Sequence, residues 1–297
     1  MKLEGKIITG KWNKNSYKII KILGKGGVGR VYKSLDINNK VYYALKISQD
    51  LHSITKEYNM LNEFNSIEAL PNAVELDDYE EAGKKYYFLV LEYINGENFK
   101  EYMLKKQLKL TEIVGIVIIV SMMIREFHKK GYIFGDLKLE NLMIDKENRE
   151  IKVIDLGGIV PKGDSIKEFT PLYDRARWNI GLRSADTKYD MFAICIMCVN
   201  LILGNEKELL NMTLNDAMGE LRKRKINKKV VNLIEKGLYQ NRIEFFEFIE
   251  ELKKIYKTLR NERKIRYNYR VNLIVNAFFI ISLLSFTIIL VFVIRNA

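Results

Sequence analysis

The chain has 297 residues, enough for one large domain or two small ones. Apolar residues make up 48% and charged residues 29%, which excludes both a disordered chain and one embedded wholly in a membrane. With only two cysteines it cannot carry a disulfide framework, so we expect a reducing compartment. The net charge of +12 is concentrated in residues 253–270, which hold eight basic side chains and one acid. This local concentration predicts no specific nucleic-acid partner.

The first third of the chain is predicted to be rich in β-structure. Apolar and polar residues alternate around a cluster of glycines, which indicates strands joined by tight turns. Residues 53–64 instead carry apolar side chains at helical spacing, with Ser53 as the candidate N-cap. The predicted strands are Tyr17–Leu23, Val31–Tyr32, Val41–Ile47 and Lys84–Ile94.

Beyond Gly96 the helical pattern dominates. The apolar stretch Ile113–Val120 is too short to span a membrane and predicts a buried helix. Strand-like pieces appear only near Leu142–Ile144 and Lys152–Ile154. The chain therefore reads as a small β-rich lobe followed by a larger α-rich lobe.

The end of the chain predicts a membrane anchor. Val271–Ile294 contains 24 residues without a charge, and a helix of that length would measure about 36 Å, enough to cross a hydrocarbon core of about 30 Å. The basic juxtamembrane segment 253–270 precedes it, so the positive-inside rule places the bulk of the protein in the cytoplasm. We expect a single-pass protein of the cell membrane, with 295–297 as an extracytoplasmic tail.

A glycine-rich segment and a lysine in the β-rich part are candidates for phosphate chemistry. Gly24–Val31 fits the pattern G-x-G-x-x-G-x-V, in which backbone N–H groups can approach phosphates closely. A dinucleotide-binding fold would continue into a helix, whereas the strand-like Arg30–Lys33 follows here, which favours a flap between two antiparallel strands. Fifteen residues beyond Val31, Lys46 stands among apolar residues of a predicted strand. Taken alone, it is equally consistent with a solvated strand face.

Two acids in the second lobe suit metal–phosphate chemistry. Asp136 and Asp155 lie 19 residues apart, each after an apolar strand-like run, and Asn141 adds a neutral oxygen ligand. Mg²⁺ is held in proteins by few carboxylates, together with phosphate oxygens and water. As isolated pieces, these residues would also fit surface turns.

Together and in this order, the motifs resemble those of the protein kinase family, and the chain is identified as a member of its bacterial, eukaryotic-like (Hanks-type) serine/threonine branch. The resemblance covers about residues 17–252. It implies an α+β, two-lobed protein-kinase-like fold, with the N-lobe at 1–94 and the C-lobe at 95–252, besides the predicted C-terminal transmembrane helix. The matching motifs are the glycine loop, Ala44-x-Lys46, Asp136-x-Lys138-x-x-Asn141 and Asp155-Leu156-Gly157.

The resemblance implies catalytic roles for four residues and candidate phosphate contacts for three glycines. Asp136 would accept or orient the substrate hydroxyl, and Lys138 would steady the γ-phosphate. Lys46 would hold the α- and β-phosphates and pair with an acid of the 53–64 helix. Glu57 is the first candidate for that acid, and Glu63 is the second. The glycines expected to cover the ATP phosphates are Gly24, Gly26 and Gly29.

Metal and adenine contacts follow from the same resemblance. Asn141 and Asp155 would bind Mg²⁺, with Mn²⁺ as the alternative ion. Leu91 would be the gatekeeper beside the adenine, and Glu97 would reach the ribose. The Glu92 carbonyl and the Ile94 N–H would meet the adenine edge. The residues expected to sandwich the ring are Val31, Ala44 and Met143.

Three further positions have structural interpretations. By the same resemblance, Asp190 would brace the backbone of the catalytic loop, and His128 would be structural. Cys195 and Cys198 lie three residues apart in an apolar helical stretch, without a second pair to complete a metal site. We expect them to be buried, unreactive thiols.

The sequence departs from the family pattern in two places. Phe134-Gly135 replaces the usual His-Arg before the catalytic aspartate, so no cation is present there to read a phosphorylated loop. We therefore expect activity without obligatory phosphorylation of Ser165 or Thr170. Arg177 stands where the family has a glutamate, opposite the expected partner Arg242, and two like charges cannot form that pair.

Three functional readings follow. The first is a membrane-anchored kinase acting on Ser/Thr hydroxyls of proteins, with self-association and autophosphorylation favoured by confinement to the membrane. Lys138 and Thr170 favour such a protein substrate. Gly135-Asp136 also resembles the small-molecule kinases, such as aminoglycoside, choline or sugar kinases, which are the second reading. The third is a membrane-tethered pseudokinase that binds without catalysis.

Overall fold

The computed structural model describes residues 3–27, 29–148, 150–239 and 243–262, which form two lobes joined by a linker at residues 93–95. The predicted transmembrane segment 271–294 lies outside the described residues, as do residues 263–270 of the basic segment and the tail 295–297. Within the described ranges, none of the helices combines the length and the apolar character needed to cross a bilayer.

The N-terminal lobe is built on a six-stranded antiparallel sheet with the strand order β1-β2-β3-β4-β6-β5. Its strands are β1 (Ile7–Thr9), β2 (Ser16–Lys25), β3 (Arg30–Asp36), β4 (Tyr42–Ser48), β5 (Ala73–Glu81) and β6 (Lys84–Glu92). All four predicted strands are present, and the glycine loop joins β2 to β3 as expected. Two strands, β1 and β5, were not predicted.

The two edges of this sheet are tied together by the N-terminal segment. The Lys11 N–H donates to the Asp78 carbonyl of β5 at 2.8 Å. The Asp77 carboxylate accepts the backbone N–H groups of Trp12 and Asn13, at 3.0 and 2.7 Å. Buried β5 carboxylates thus hold the segment that follows β1, and the sheet is nearly closed on itself.

Helix α1 (Leu51–Glu63) belongs to this lobe and packs against β5 and β6. Its N-cap is Asp50, whose carboxylate accepts the N–H groups of His52 and Ser53 at 3.0 and 3.2 Å. The prediction of Ser53 as the cap was therefore wrong. The reason is that an aspartate three residues earlier satisfies the first free N–H groups of the helix.

The C-terminal lobe is helical and is organised around α4, in which every residue from Tyr189 to Leu203 is buried. Helices α3 and α7 pack against α4. The buried helix predicted at Ile113–Val120 is confirmed as the interior of α3. The helices are α2 (Phe99–Lys105), α3 (Leu110–Lys129), α4 (Thr187–Leu203), α5 (Glu206–Leu210), α6 (Leu214–Lys223), α7 (Lys228–Leu238) and α8 (245–262).

Short strands lie between the lobes. A three-stranded sheet has the order β10-β9-β7, and a second pair joins β11 to β8. In the β9–β10 hairpin, Leu142 is opposite Val153. The residues flanking the open end of that hairpin, Asn141 and Asp155, are therefore brought to the same edge. The strands are β7 (Gly96–Asn98), β8 (Tyr132–Ile133), β9 (Leu142–Asp145), β10 (Glu150–Val153) and β11 (Val160–Pro161).

Candidate active site

The glycine loop is a tight reversal between two paired strands. Gly24 lies in β2 opposite Val31 of β3, and the Gly26 N–H donates to the Gly29 carbonyl at 2.9 Å. A Cβ on Gly29 would overlap the Ile47 carbonyl, so the loop backbone approaches β4 too closely for any side chain there. Glycines in such a loop let backbone N–H groups approach a phosphate closely.

Lys46 is buried on β4 and contacts two carboxylates. Its Nζ lies 2.5 Å from Glu57 Oε2 on α1 and 3.6 Å from Asp155 Oδ1. Of the two glutamates considered for this pair, Glu57 is the one that contacts Lys46, whereas Glu63 lies 3.9 Å from the Lys130 Nζ. Burial of such a cation is tolerated because both neighbouring carboxylates offset the loss of hydration.

The same cluster shifts two pKa values. Burial alone would lower the pKa of Lys46, but the carboxylates of Glu57 and Asp155 outweigh it and raise that pKa, so the ammonium stays charged. Burial raises the pKa of Glu57, Lys46 opposes this, and the nearby carboxylates of Asp155 and Glu168 add to it. On acidification the member of this pair that changes charge is Glu57, because the Lys46 ammonium is already protonated.

Asp136 lies in the catalytic loop between a hydroxyl and a cation. Its Oδ1 accepts a hydrogen bond from the Thr170 hydroxyl at 2.8 Å, and its Oδ2 is ion-paired with Lys138. The Asn141 side-chain N–H₂ donates to the Asp136 carbonyl at 3.4 Å, while the Asn141 carbonyl accepts the Ile154 N–H at 2.9 Å. These bonds hold Asp136, Lys138 and Asn141 on one rigid turn next to Asp155.

The backbone before Asp136 is held by Asp190 of α4. The Asp190 carboxylate accepts the N–H groups of Phe134 and Gly135, at 2.8 and 3.0 Å, and the His128 Nε2–H at 2.8 Å. Gly135 has φ of +79°, and a Cβ there would lie 2.6 Å from the Gly158 carbonyl oxygen. Glycine at this position is thus required by the local backbone, and the loop is fixed without an arginine.

One face of the N-lobe sheet carries the residues expected around the adenine. Ala44 is opposite Leu91 on β6 and Lys33 on β3, while Val31 is opposite Lys46. Directly opposed residues of antiparallel strands share a face, so these five side chains lie on the same side of the sheet. A flat apolar surface next to the buried Lys46 ammonium fits a purine attached to a triphosphate.

The other expected nucleotide contacts lie at the end of β6, on the linker, and on strands β7 and β9. The Glu92 carboxylate accepts the Asn72 N–H at 3.1 Å, which leaves its carbonyl separate from that bond. Glu97 is ion-paired with Lys105 and, at 3.1 Å, with Lys146. Hydrogen bonds from these two lysines lower the Glu97 pKa, and its ribose contact stays a prediction. Ile94 is buried and Met143 is half-buried on β9, and their adenine contacts likewise stay predictions.

Comparison with known proteins agrees with this arrangement. A family model described as the protein kinase domain matches residues 17–275. The chain belongs to the protein kinase family. Among similar proteins is the serine/threonine-protein kinase YabT of Bacillus subtilis, 36% identical over 212 residues, which are 70% of this chain and 62% of that protein.

Two eukaryotic kinases are more distant relatives. Calcium-dependent protein kinase 4 of Plasmodium berghei is 33% identical over 148 residues, which are 48% of this chain and 28% of that protein. An Aurora kinase of Eremothecium gossypii is 29% identical over 198 residues, which are 64% of this chain and 53% of that protein. The chain thus spans less than two thirds of the length of each of these relatives.

The segment of residues 174–186 is held by ion pairs that the sequence did not reveal. Arg175 is buried and donates to both carboxylate oxygens of Asp186, at 2.8 and 2.6 Å. The fully buried Asp174 pairs with Arg183 at 2.8 Å. Both pairs join charged residues in irregular segments, and no periodic signal in the sequence could have matched them.

Of the two like-charged residues in the second departure, Arg177 and Arg242, the structure describes only Arg177. Arg177 donates to the Leu210 carbonyl and stacks over the Trp178 ring, with its guanidinium carbon 4.7 Å from the ring centroid. Arg242 lies outside the described residues. Arg177 thus caps the C-terminal end of α5, and the buried Arg175 forms an ion pair with the half-exposed Asp186 nearby.

The two cysteines behave as expected. Cys195 and Cys198 are both buried in α4. Burial raises the pKa of the Cys198 thiol to about 12 and that of the Cys195 thiol well above its ordinary value. Within the described part of the chain, no cluster of three or more His, Cys, Asp or Glu side chains forms a metal site.

Proposed function

We propose that the protein transfers the γ-phosphoryl group of ATP to serine or threonine hydroxyls of protein substrates. The observation that carries the proposal is the convergence of Lys46, Glu57 and Asp155 in the cleft, next to the Asp136–Lys138 turn. The similar proteins named as serine/threonine-protein kinase, calcium-dependent protein kinase and Aurora kinase support the same substrate class.

Each residue of the site has a task that its surroundings allow. Lys46 stays charged and offers N–H donors to the α- and β-phosphates, while Glu57 holds it in place. Asp136 orients the substrate hydroxyl. One of its oxygens already accepts a hydrogen bond from a hydroxyl, that of Thr170, and Asp190 holds the backbone before it in place. Lys138 neutralises charge on the transferred group. Positioning and charge stabilisation account for most of the rate in such reactions.

The donor set also fits a divalent ion. Asp155 is a partly exposed carboxylate beside the phosphate-binding lysine, and the Asn141 side chain lies on the adjoining turn. One carboxylate and one amide oxygen are hard oxygen ligands of the kind that Mg²⁺ prefers alongside phosphate, and Mn²⁺ would accept the same set. A bound ion supplies neutralisation of the phosphate charge.

A phosphoacceptor assay tests the proposal. The full chain is incubated with γ-labelled ATP and Mg²⁺, and is offered peptides containing serine, threonine or tyrosine and, separately, sugars, choline and aminoglycosides. We expect label on serine and threonine, and a loss of about 100- to 10,000-fold in Asp136→Asn. The matched control, Asp164→Asn, changes an exposed aspartate and should keep full activity. Label on a small alcohol alone would contradict the proposal, as would ATP binding without turnover.

We infer that activity does not require a phosphorylated activation segment. Gly135 provides no cation to bind a phosphate, and the segment is already held by the Asp174–Arg183 and Arg175–Asp186 pairs. Because the Thr170 hydroxyl contacts Asp136, Thr170→Ala would disturb the site directly and is a poor test. Phosphatase-treated protein, verified by intact mass, should keep its activity. Activity that disappears on treatment and returns on rephosphorylation would refute the inference.

Membrane anchoring is proposed from the uncharged segment 271–294 and the basic residues before it. The full chain should remain in the membrane pellet after alkaline carbonate washing, with its kinase lobes accessible to protease from the cytoplasmic side. A Leu283→Arg/Leu284→Arg variant should be released by the wash, since two charges in the middle of the segment oppose insertion. Release of the unaltered chain would contradict the anchor.

Confinement to a membrane would also favour phosphorylation of one copy by another. We propose that the protein associates with itself and phosphorylates in trans, with Ser165 as an accessible acceptor because it is exposed on the activation segment. At equal low protein concentration, vesicle-bound protein should label itself faster than protein dispersed in detergent. Equal rates in the two states would contradict this proposal.

A further inference from the structure

A lysine at the outer end of the expected adenine site is enclosed by two tyrosine rings. The Lys33 Nζ lies 4.1 Å from the Tyr42 ring centroid and 4.1 Å from the Tyr93 ring centroid. The two rings are 6.4 Å apart and tilted by 56°. Both distances are well within the range of attraction between a cation and an aromatic face.

The three side chains come from three different parts of the lobe. Lys33 is on β3, opposite Ala44, and Tyr42 is on β4, two residues before Ala44. Tyr93 is on the linker between the lobes. The lysine therefore connects the sheet face above the expected base to the segment beside it.

Tyr93 has a special position along the chain. It lies directly between Glu92 and Ile94, whose carbonyl and N–H are the expected contacts of the adenine edge. A backbone that is held at Tyr93 holds both of these groups, because only the two soft dihedrals of each residue separate them.

We propose that Lys33 is a positioning residue for the adenine base, acting through its cation–π contacts with Tyr42 and Tyr93 to fix the linker. The inference rests on the proposed use of ATP. It predicts an effect on nucleotide affinity and none on the chemical step, since Lys33 is far from the Asp136 turn in sequence and lies on the other lobe. Ordering the linker in advance lowers the entropy lost when the base binds.

The contacts themselves dictate the choice of variants. A cation–π contact needs the charge and the ring face but not the phenol hydroxyl. Lys33→Met keeps the stem and removes the charge, whereas Lys33→Arg keeps a cation. Tyr93→Phe keeps the ring, whereas Tyr93→Leu removes it. Lys18→Met, at an exposed lysine of the neighbouring strand β2 that lies opposite Leu35 and not opposite Lys33, is the matched control.

The experiment measures the KM for ATP, kcat, and the competitive inhibition constant of inorganic tripolyphosphate, which has no base. We expect Lys33→Met and Tyr93→Leu each to raise the KM about five-fold, with kcat and the tripolyphosphate constant unchanged. The conservative variants Lys33→Arg and Tyr93→Phe keep the contact, so they should match the parent, as should the control Lys18→Met. The double variant Lys33→Met/Tyr93→Leu should be no worse than either single one.

Different failures have different meanings. If the unaltered chain neither binds nor turns over ATP, the proposed function is wrong and the inference falls with it. If the parent is active but Lys33→Met leaves the KM unchanged, only the inference is overturned. An equal weakening of ATP and tripolyphosphate, or a loss of kcat, would show a general structural role and would also overturn it.

Discussion

The candidate active-site cleft and the segment of residues 174–186 both contain ion-paired charges, but those charges are used differently. In the cleft, Asp155 contacts Lys46 at 3.6 Å and remains partly exposed. In the 174–186 segment, Asp186 is also half-exposed, but both of its oxygens accept from Arg175 and one of them also accepts the first N–H groups of α4, while Asp174 is fully buried against Arg183.

The difference distinguishes charged residues that can bind a ligand from charged residues that stabilise the fold. A charge that keeps hydrogen-bonding capacity free can bind a ligand, while a charge whose partners are all supplied by the protein can only hold the chain. Substitutions in the cleft should therefore reduce activity more than stability, whereas substitutions in the 174–186 segment should reduce stability more than activity.

The largest effect is expected for Asp155→Asn. Removing this charge from the cleft should lower kcat about 100- to 1,000-fold, because under the proposed function Asp155 would hold a divalent ion that neutralises the phosphates. Since Asp155 is partly exposed, urea unfolding should change little. Steady-state kinetics across a Mg²⁺ titration, combined with urea denaturation, checks both parts. Strong destabilisation by this variant would break the distinction between the two regions.

Arg175→Ala should have the opposite profile. It removes a buried guanidinium that donates to the Leu182 carbonyl and to both oxygens of the half-exposed Asp186, and should destabilise the fold by about 2 kcal/mol, since hydrogen bonds that involve a charged group contribute about 1.5–3 kcal/mol. The control is Arg177→Ala, whose guanidinium donates to the Leu210 carbonyl and meets no carboxylate in the described contacts. Urea midpoints compare the two variants. Equal midpoints for Arg175→Ala and the parent would refute the architectural role.

Gly135→Ala tests the left-handed backbone conformation directly before Asp136. The positive φ of +79° and the close Gly158 carbonyl should together make the substitution destabilising by about 1–2 kcal/mol. Gly163→Ala is a sharp control, because Gly163 also has a positive φ, of +98°, but its Cβ would meet nothing within 4 Å. Thermal unfolding should rank Gly135→Ala below Gly163→Ala, and the reverse order would contradict the crowding.

The smallest effect is a change in pH dependence. The Glu57 pKa is raised above its ordinary 4.5, so on acidification Glu57 should protonate early and release Lys46, and kcat/KM should begin to fall at a pH above that value. For stability the sign is opposite: the raised pKa favours the fold at low pH, and this contribution is lost as the pH rises through the folded-state pKa. The raised Lys46 pKa adds stability that is lost only in the alkaline range. A pH–rate profile that falls only below 4.5 would contradict the first expectation.

Much of the fold could be predicted because its signals are local. The glycine loop, its flanking strands and the interior of α3 follow from alternation and helical spacing within short windows. Strand β5 was missed because its buried carboxylates, Glu75, Asp77 and Asp78, interrupt the apolar pattern. Their hydrogen-bond partners lie about 60 residues away in the chain, at Tyr17, Asn15 and Trp12 among others, and no window of sequence contains both.

The candidate site shows the same division. Lys46, Glu57, Asp136 and Asp155 carry motif spacing and were placed from sequence, although which glutamate contacts Lys46 required the structure. The Arg175–Asp186 and Asp174–Arg183 pairs were missed, since ion pairs between irregular segments depend on backbone paths that spacing does not encode. The Lys33–Tyr42–Tyr93 contact was missed for the same reason.

The bonds from β5 to residues 11–13 bear on how this protein can be shortened. The family match begins at residue 17, yet the folded unit already includes the first strand and the segment after it. A version trimmed to the match would lack the N–H groups of Trp12 and Asn13, which donate to the Asp77 carboxylate, and this carboxylate is only 4% exposed. It would also lack the segment that joins the two edges of the N-lobe sheet. Cloning that respects the physical domain should therefore start at least a dozen residues upstream of the boundary suggested by similarity.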